Sequence, residues 1–215
     1  MLLIHSTDIV GSMLHLPFDH TITIIIITLI VSIAAFMSPQ LKARLRFWPP
    51  AMQRGQYDRF ITHGFVHADA THLLFNMITL YFFGSIIEIF YRQFFYNMGF
   101  VLFYLGALIF AILPSYIQHK NDSHWASLGA SGAVSAVLFS YILFKPWHMI
   151  FVFFIPVPAI IFAVLYIAYS VWAGRRGNDN INHSAHLWGA AYGVIVTLLL
   201  EPNLLPHFIK QLTGG

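Results

Sequence analysis

Cysteine is missing altogether from this chain, and charge is scarce: Asp, Glu, Lys and Arg make up only 9% of its 215 residues. Without thiols there are no disulfides, no thiolate nucleophile and no cysteine metal site. A water-soluble domain carries about 25% charged residues, so the shortage of charge excludes an ordinary soluble fold. The net charge of +3 is spread over loops and leaves no basic face for nucleic acid. What fills the sequence instead is apolar, with 58% hydrophobic and 17% aromatic residues. No single water-soluble core of this length hides so much Phe, Ile and Leu, and the chain reads as an integral membrane protein.

Six apolar stretches approach the ~20 residues that a bilayer-crossing helix needs. They lie near Thr21 to Met37, Thr71 to Tyr91, Phe94 to Tyr116, Ser131 to Phe144, Trp147 to Trp172 and Ser184 to Leu200. The expected fold is all-α: a membrane domain over 21–200, a short polar lead-in over 1–20 without the basic start of a secretory signal, and a short tail over 201–215. The connection from Ser38 to Ala70 is too long for a turn and mixes Lys42, Arg44, Arg46 and Arg54 with Phe47, Trp48, Tyr57 and Phe60, as expected of a partly interfacial loop.

The fourth stretch is short for a span. At about 1.5 Å per residue it reaches about 21 Å, against a hydrocarbon core of about 30 Å. Its helix must begin beneath the membrane surface, and irregular backbone is tolerated there only beside a water-filled cavity or inside protein. Ser131, within Gly129-Ala130-Ser131-Gly132, is expected at the floor of such a cavity.

Alternating helix direction brings three segment starts to one membrane face. These carry Ser131, then His186 one turn into the last stretch, then His72 and Asn76 at i and i+4 on one helical face. Ionisable and polar groups are costly in lipid and mark functional sites. A serine nucleophile, an imidazole base and side-chain donors for an oxyanion are the minimal set for acyl transfer, so Ser131 and His186 are the candidate catalytic pair. His72, Asn76 and the Ser131 N–H are the candidate oxyanion donors. Gly129 and Gly132 allow close approach around the nucleophile, and Gly189 and Gly193 allow tight packing on a neighbour, expected to be the fourth span. Taken singly, the small-residue run and the lone histidine have bland readings as packing and structural residues. Glu88, inside the second stretch, is read as a hydrogen-bonded structural residue. His63, His67 and His72 lack the spacing of a zinc hydrolase, and no metal or cofactor is expected.

The segments His63-Gly-Phe-Val-His67, His72-Leu-Leu-Phe-Asn76, Gly129-Ala-Ser131-Gly132 and Ala185-His186 with Gly189 and Gly193 together resemble a rhomboid intramembrane serine protease. The resemblance runs from about Arg59 to Gly193. It implies a Ser131–His186 dyad without a third acid, an oxyanion hole lined by His72 and Asn76, and structural support from His67 and Glu88. It also implies that the fifth span and the Gly174 to Asn182 loop gate lateral entry of a substrate helix. Two positions depart from the family. Asp58-Arg59 stands where Trp-Arg is frequent, so only Arg59 matches; and Ser135 stands where an aromatic residue often stacks on the catalytic histidine, so His186 is expected to rely on other contacts.

The expected activity is hydrolysis of a peptide bond in or near the membrane segment of single-span membrane proteins within the lipid bilayer. The rival readings are a silent relative that binds transmembrane helices and a small transporter using His186 as a proton relay. Lys42, Arg44, Arg46, Arg54, Arg59, Lys120, Arg175 and Arg176 lie on the site's face against Arg92, Lys145 and Lys210 opposite, which by charge alone makes that face cytoplasmic. The resemblance implies the reverse. The site is therefore expected to open on the non-cytoplasmic side of a bacterial cytoplasmic membrane.

Overall fold

The computed structural model describes residues 19–152, 154–177 and 181–214. The lead-in before Asp19 and part of the Gly174 to Asn182 loop lie outside the described residues. Helix α1 (His20–Met37) starts where the Asp19 carboxylate accepts the Ile22 N–H at 3.0 Å. Loop one then folds into short helices α2 (Pro39–Leu45), α3 (Pro49–Met52) and α4 (Arg59–Thr62), followed by a tight turn over His63–Phe65. Its pivot is Arg59, buried, with its guanidinium donating to the carbonyls of Ala43 at 2.9 Å and Arg46 at 2.7 Å and to Gln56 at 2.8 Å. Asp58, the departure from the family pattern, pairs with Arg44 at 2.8 Å, and that guanidinium holds its carboxyl below the usual range.

Helix α5 (Ala70–Tyr91) is capped by Asp69 and widens into a π turn over Leu80–Gly84, where α1 crosses it. There a Cβ on Gly84 would lie 2.8 Å from the Thr21 methyl. Glu88 of α5 reaches the start of α1: it accepts the His20 and Thr21 N–H groups at 3.0 and 2.8 Å and the Thr21 hydroxyl at 2.7 Å, and pairs with Arg92 at 2.7 Å. A carboxylate at a helix N-terminus satisfies orphan donors and the helix dipole together, which accounts for an acid in a span.

Helix α6 (Gly99–His119) starts later than expected, because Phe95, Tyr96 and Asn97 adopt left-handed backbone in the preceding turn. Helix α7 (Ser131–Phe144) has the expected bounds, and every residue from Gly132 to Leu143 is buried. It is the central post, packed against α5, α6 and α9 (His183–Leu200). Among the described residues, five helices are long and apolar enough to cross a membrane, and α7 is a shorter apolar helix beside them.

The fifth span corrects the expectation. The described residues between Trp147 and Pro158 are not helical; Met149–Val152 (β1) and Ile155–Pro158 (β2) pair antiparallel, and α8 (Ala159–Arg176) begins only after them. Pro156 and Pro158 lack N–H groups and hold their predecessors extended, while Ile150, Val152, Ile155 and Val157 are β-branched. The tail also carries an unexpected helix, α10 (Leu204–Thr213), tied to the segment before β1 by the Trp147 indole donating to the Gln211 carbonyl at 2.9 Å.

Candidate active site

Ser131 and His186 come from different helices, and the seam between those helices sets their distance. A Cβ on Gly189 would run into the carbonyl of Gly132, and one on Gly193 into that of Ala136. Helices α7 and α9 therefore meet backbone to backbone. At the upper end of this seam His186 Nε2 lies 2.8 Å from Ser131 Oγ. At its lower end Thr197 Oγ1 lies 2.7 Å from Ser140 Oγ and 2.9 Å from Tyr91 Oη, tying α9 to α7 and α5.

Asn182 sets the start of α9, a role that the sequence reading missed. Its side-chain oxygen accepts the Ala185 N–H and the Ser115 hydroxyl, both at 3.1 Å, and its amide donates to Ser127 Oγ at 3.3 Å. One N-cap thus joins the helix bearing His186 to α6 and to the loop leading into Ser131. An asparagine just before a helix was the available signal.

The loop before Ser131 is held from below by two buried histidines. His67 Nε2 accepts the Ala130 N–H at 3.3 Å, so Nδ1 carries the hydrogen and donates to Ser32 Oγ at 2.9 Å; Ser32 in turn donates to the Phe65 carbonyl. The His63 carbonyl accepts the Gly129 N–H at 2.9 Å, and its ring donates to the Arg59 carbonyl at 3.0 Å. Burial pushes the His67 imidazole down to about 3 and His63 to about 4, so both are neutral struts. Gly129 has φ +120, and a Cβ there would lie 2.6 Å from the His72 ring, so only glycine fits.

Ser131, His186, His72 and Asn76 line one cavity of about 1000 Å³. Asn76 Nδ2 gives one hydrogen to the His72 carbonyl at 2.8 Å, which leaves its second hydrogen for another acceptor. Asp19, Asp69 and Asn182 cap α1, α5 and α9 with side chains, whereas Ala130 before α7 offers none. The first N–H groups of α7, at Ser131 itself, therefore keep their donor capacity beside the Ser131 hydroxyl.

The place left by Ser135 is filled from another helix. Tyr166 of α8 lies over the His186 ring, centroids 6.0 Å apart and planes 24° apart. Ser135 Oγ donates to the Ser131 carbonyl at 2.7 Å, so its lone pair takes the Tyr166 hydroxyl proton at 2.5 Å. An aromatic cover for His186 is thus present, supplied by the fifth span with Ser135 as its anchor.

These features define a polytopic membrane bundle with a serine and a histidine in contact inside one cavity. A family model described as "Rhomboid domain" matches residues 54–203, and the chain belongs to that family. It is 35% identical over 153 residues to "RHOMBOID-like protein 12, mitochondrial" of Arabidopsis thaliana, covering 66% of this chain and 46% of that one. It is 33% identical over 153 residues to "Rhomboid-like protein 11, chloroplastic" of the same plant, covering 66% and 52%. "Rhomboid protease GlpG" of Enterobacter sp. (strain 638) is 33% identical over 95 residues, 42% of this chain and 30% of that protein. The chain spans about half the length of the plant relatives it matches. Names that include mitochondrial and chloroplastic relatives do not support the expected bacterial cytoplasmic membrane; an integral membrane protein is what stands.

Proposed function

We propose that this chain is an intramembrane serine protease in which Ser131 is the nucleophile and His186 the general base. The observation that carries the reading is the 2.8 Å contact between His186 Nε2 and Ser131 Oγ inside the cavity. With its proton on Nδ1, the imidazole takes the Ser131 hydroxyl proton as Oγ attacks a substrate carbonyl carbon. The developing oxyanion is met by the Ser131 N–H, the free Asn76 amide hydrogen and His72; removing one such donor costs about 3 kcal/mol of transition-state stabilisation. His186 then passes its proton to the leaving amide nitrogen as the C–N bond breaks. A water from the cavity, deprotonated by the same imidazole, cleaves the acyl ester and restores Ser131.

The substrates of this reading are single-span membrane proteins. Their scissile segment must be extended, because a helical amide is hydrogen-bonded and closed to attack. Entry is lateral, past α8, the least buried of the long helices. Val164 and Leu165 on that helix are exposed. The site opens on the non-cytoplasmic side, and 21–200 is the catalytic membrane domain. A silent relative that only binds helices has no use for an uncapped α7 beside a bonded Ser–His pair.

The test is fluorophosphonate labelling of the purified protein in detergent. Wild type is expected to label at Ser131, and Ser131→Ala and His186→Ala are expected not to. A protein that never labels, or labels equally without His186, contradicts the proposal.

A further inference from the structure

Loop one carries Lys42, Arg44, Arg46, Arg54 and Arg59, and all but one have partners among the described residues. Lys42 donates to the Ala68 carbonyl at 2.7 Å, Arg44 pairs with Asp58, Arg54 lies over the Trp48 ring, and Arg59 is spent on carbonyls. Arg46 is the exception. Its Nε is buried without a hydrogen-bond partner among the described residues, and it lines the same cavity as Ser131.

Its place along the chain is fixed by the neighbouring residue. Phe47 N–H donates to the Ser127 carbonyl at 2.9 Å and Ser127 N–H to the Phe47 carbonyl at 3.0 Å, an antiparallel bridge. Arg46 therefore lies alongside Leu128, on the strand-like segment that runs into Gly129, Ala130 and Ser131. The one carboxylate on the cavity wall among the described residues, Asp69, is engaged with the His72 N–H at 2.8 Å and forms no ion pair with Arg46. A guanidinium nitrogen withdrawn from water and left unpaired is costly, and its planar fork suits a carboxylate.

We propose that Arg46 forms an anionic subsite that binds a carboxylate side chain of the substrate polypeptide close to the cut. This rests on the protease reading for the word substrate, although the subsite would serve a helix-binding relative equally. Because Arg46 flanks the segment entering the nucleophile, an extended chain at the dyad presents to it a residue within about four positions of the scissile bond. Acidic residues there select substrates; they play no part in the chemistry.

The test uses binding, so that it does not depend on turnover. The full chain carrying Ser131→Ala is placed in nanodiscs of zwitterionic lipid. Its probes are fluorescent peptides, each with an apolar membrane segment and a Gly-Ala pair, with Glu or Gln placed singly at each flanking position. At one position Glu is expected to bind about tenfold tighter than Gln. Adding Arg46→Gln is expected to erase that preference, Arg46→Lys to keep part of it, and Arg46→Glu to turn it toward a Lys peptide. No position preferring Glu, or a preference that survives Arg46→Gln, overturns the proposal. So does an Arg46→Gln change that weakens only association with anionic-lipid nanodiscs, which assigns the residue to a headgroup. Absent labelling of Ser131 in the wild type would sink the protease reading while leaving this binding result to stand or fall alone.

Discussion

Helices α7 and α8 flank the same cavity and are built in opposite ways. Helix α7 is buried along nearly its whole length and meets α9 through glycine, with no side chain between the backbones. Only Ala159, Ala163, Ser170 and Ala173 of α8 are buried, and it reaches the dyad through the Tyr166 side chain. Close packing resists small displacements, whereas a helix held by a few side chains separates at low cost. The contrast is one of attachment: α7 and α9 hold Ser131 and His186 in register through their backbones, whereas α8 is held beside them through fewer buried residues.

The largest effects are expected on the α7–α9 seam. Gly189→Val or Gly193→Val forces the two backbones apart, and about 3 kcal/mol or more of stability is expected to go, with labelling of Ser131 abolished. Thermal melts and labelling on the same samples check this; a Val variant that keeps both would dissolve the distinction between the helices. Next comes Asn182→Ala, expected to cost about 1–2 kcal/mol through the lost cap and to slow labelling, with Asn182→Asp restoring part of the cap. Tyr166 sharpens the comparison, because it is α8's tie to the dyad. Tyr166→Ala is expected to slow Ser131 labelling about tenfold and to lower the melting temperature, and Tyr166→Phe to retain most of the rate through its ring. Equal rates for Ala and Phe would leave the ring over His186 without a role.

A smaller, pH-dependent effect belongs to the struts. The folded state holds His67 near 3 and His63 near 4 against an ordinary 6.5, so the unfolded chain binds protons that the folded one refuses. Their contribution is complete above pH 6.5 and is lost as pH falls from there toward 4 and 3. Melting temperature should drop over that interval, and less steeply in His67→Asn. The smallest effect is expected on the outer face of α8, where Leu165→Ala should change stability by less than about 0.5 kcal/mol.

The sequence exposed whatever the membrane makes expensive. Ser131, His186, His72, Asn76 and Glu88 stand out because polar groups in spans need a reason, and the shortness of α7 could be counted directly. Less legible was anything decided by which element lies beside which. Tyr166 is one aromatic among many along α8 until the fold sets it over His186. The Phe47–Ser127 bridge joins loops far apart in the chain, and no local pattern marks it. The strand pair before α8 was legible in Pro156 and Pro158, but apolar continuity outweighed those prolines in the span reading.

The central claim is that the His186 imidazole takes the Ser131 proton. The most direct measurement is the rate of fluorophosphonate labelling at Ser131 from about pH 5 to about pH 8, the interval in which an imidazole usually titrates. The account predicts a rate that falls on the acid side with the protonation of a single group, and that is lost altogether in His186→Ala. A flat profile, or labelling that persists without His186, would contradict it.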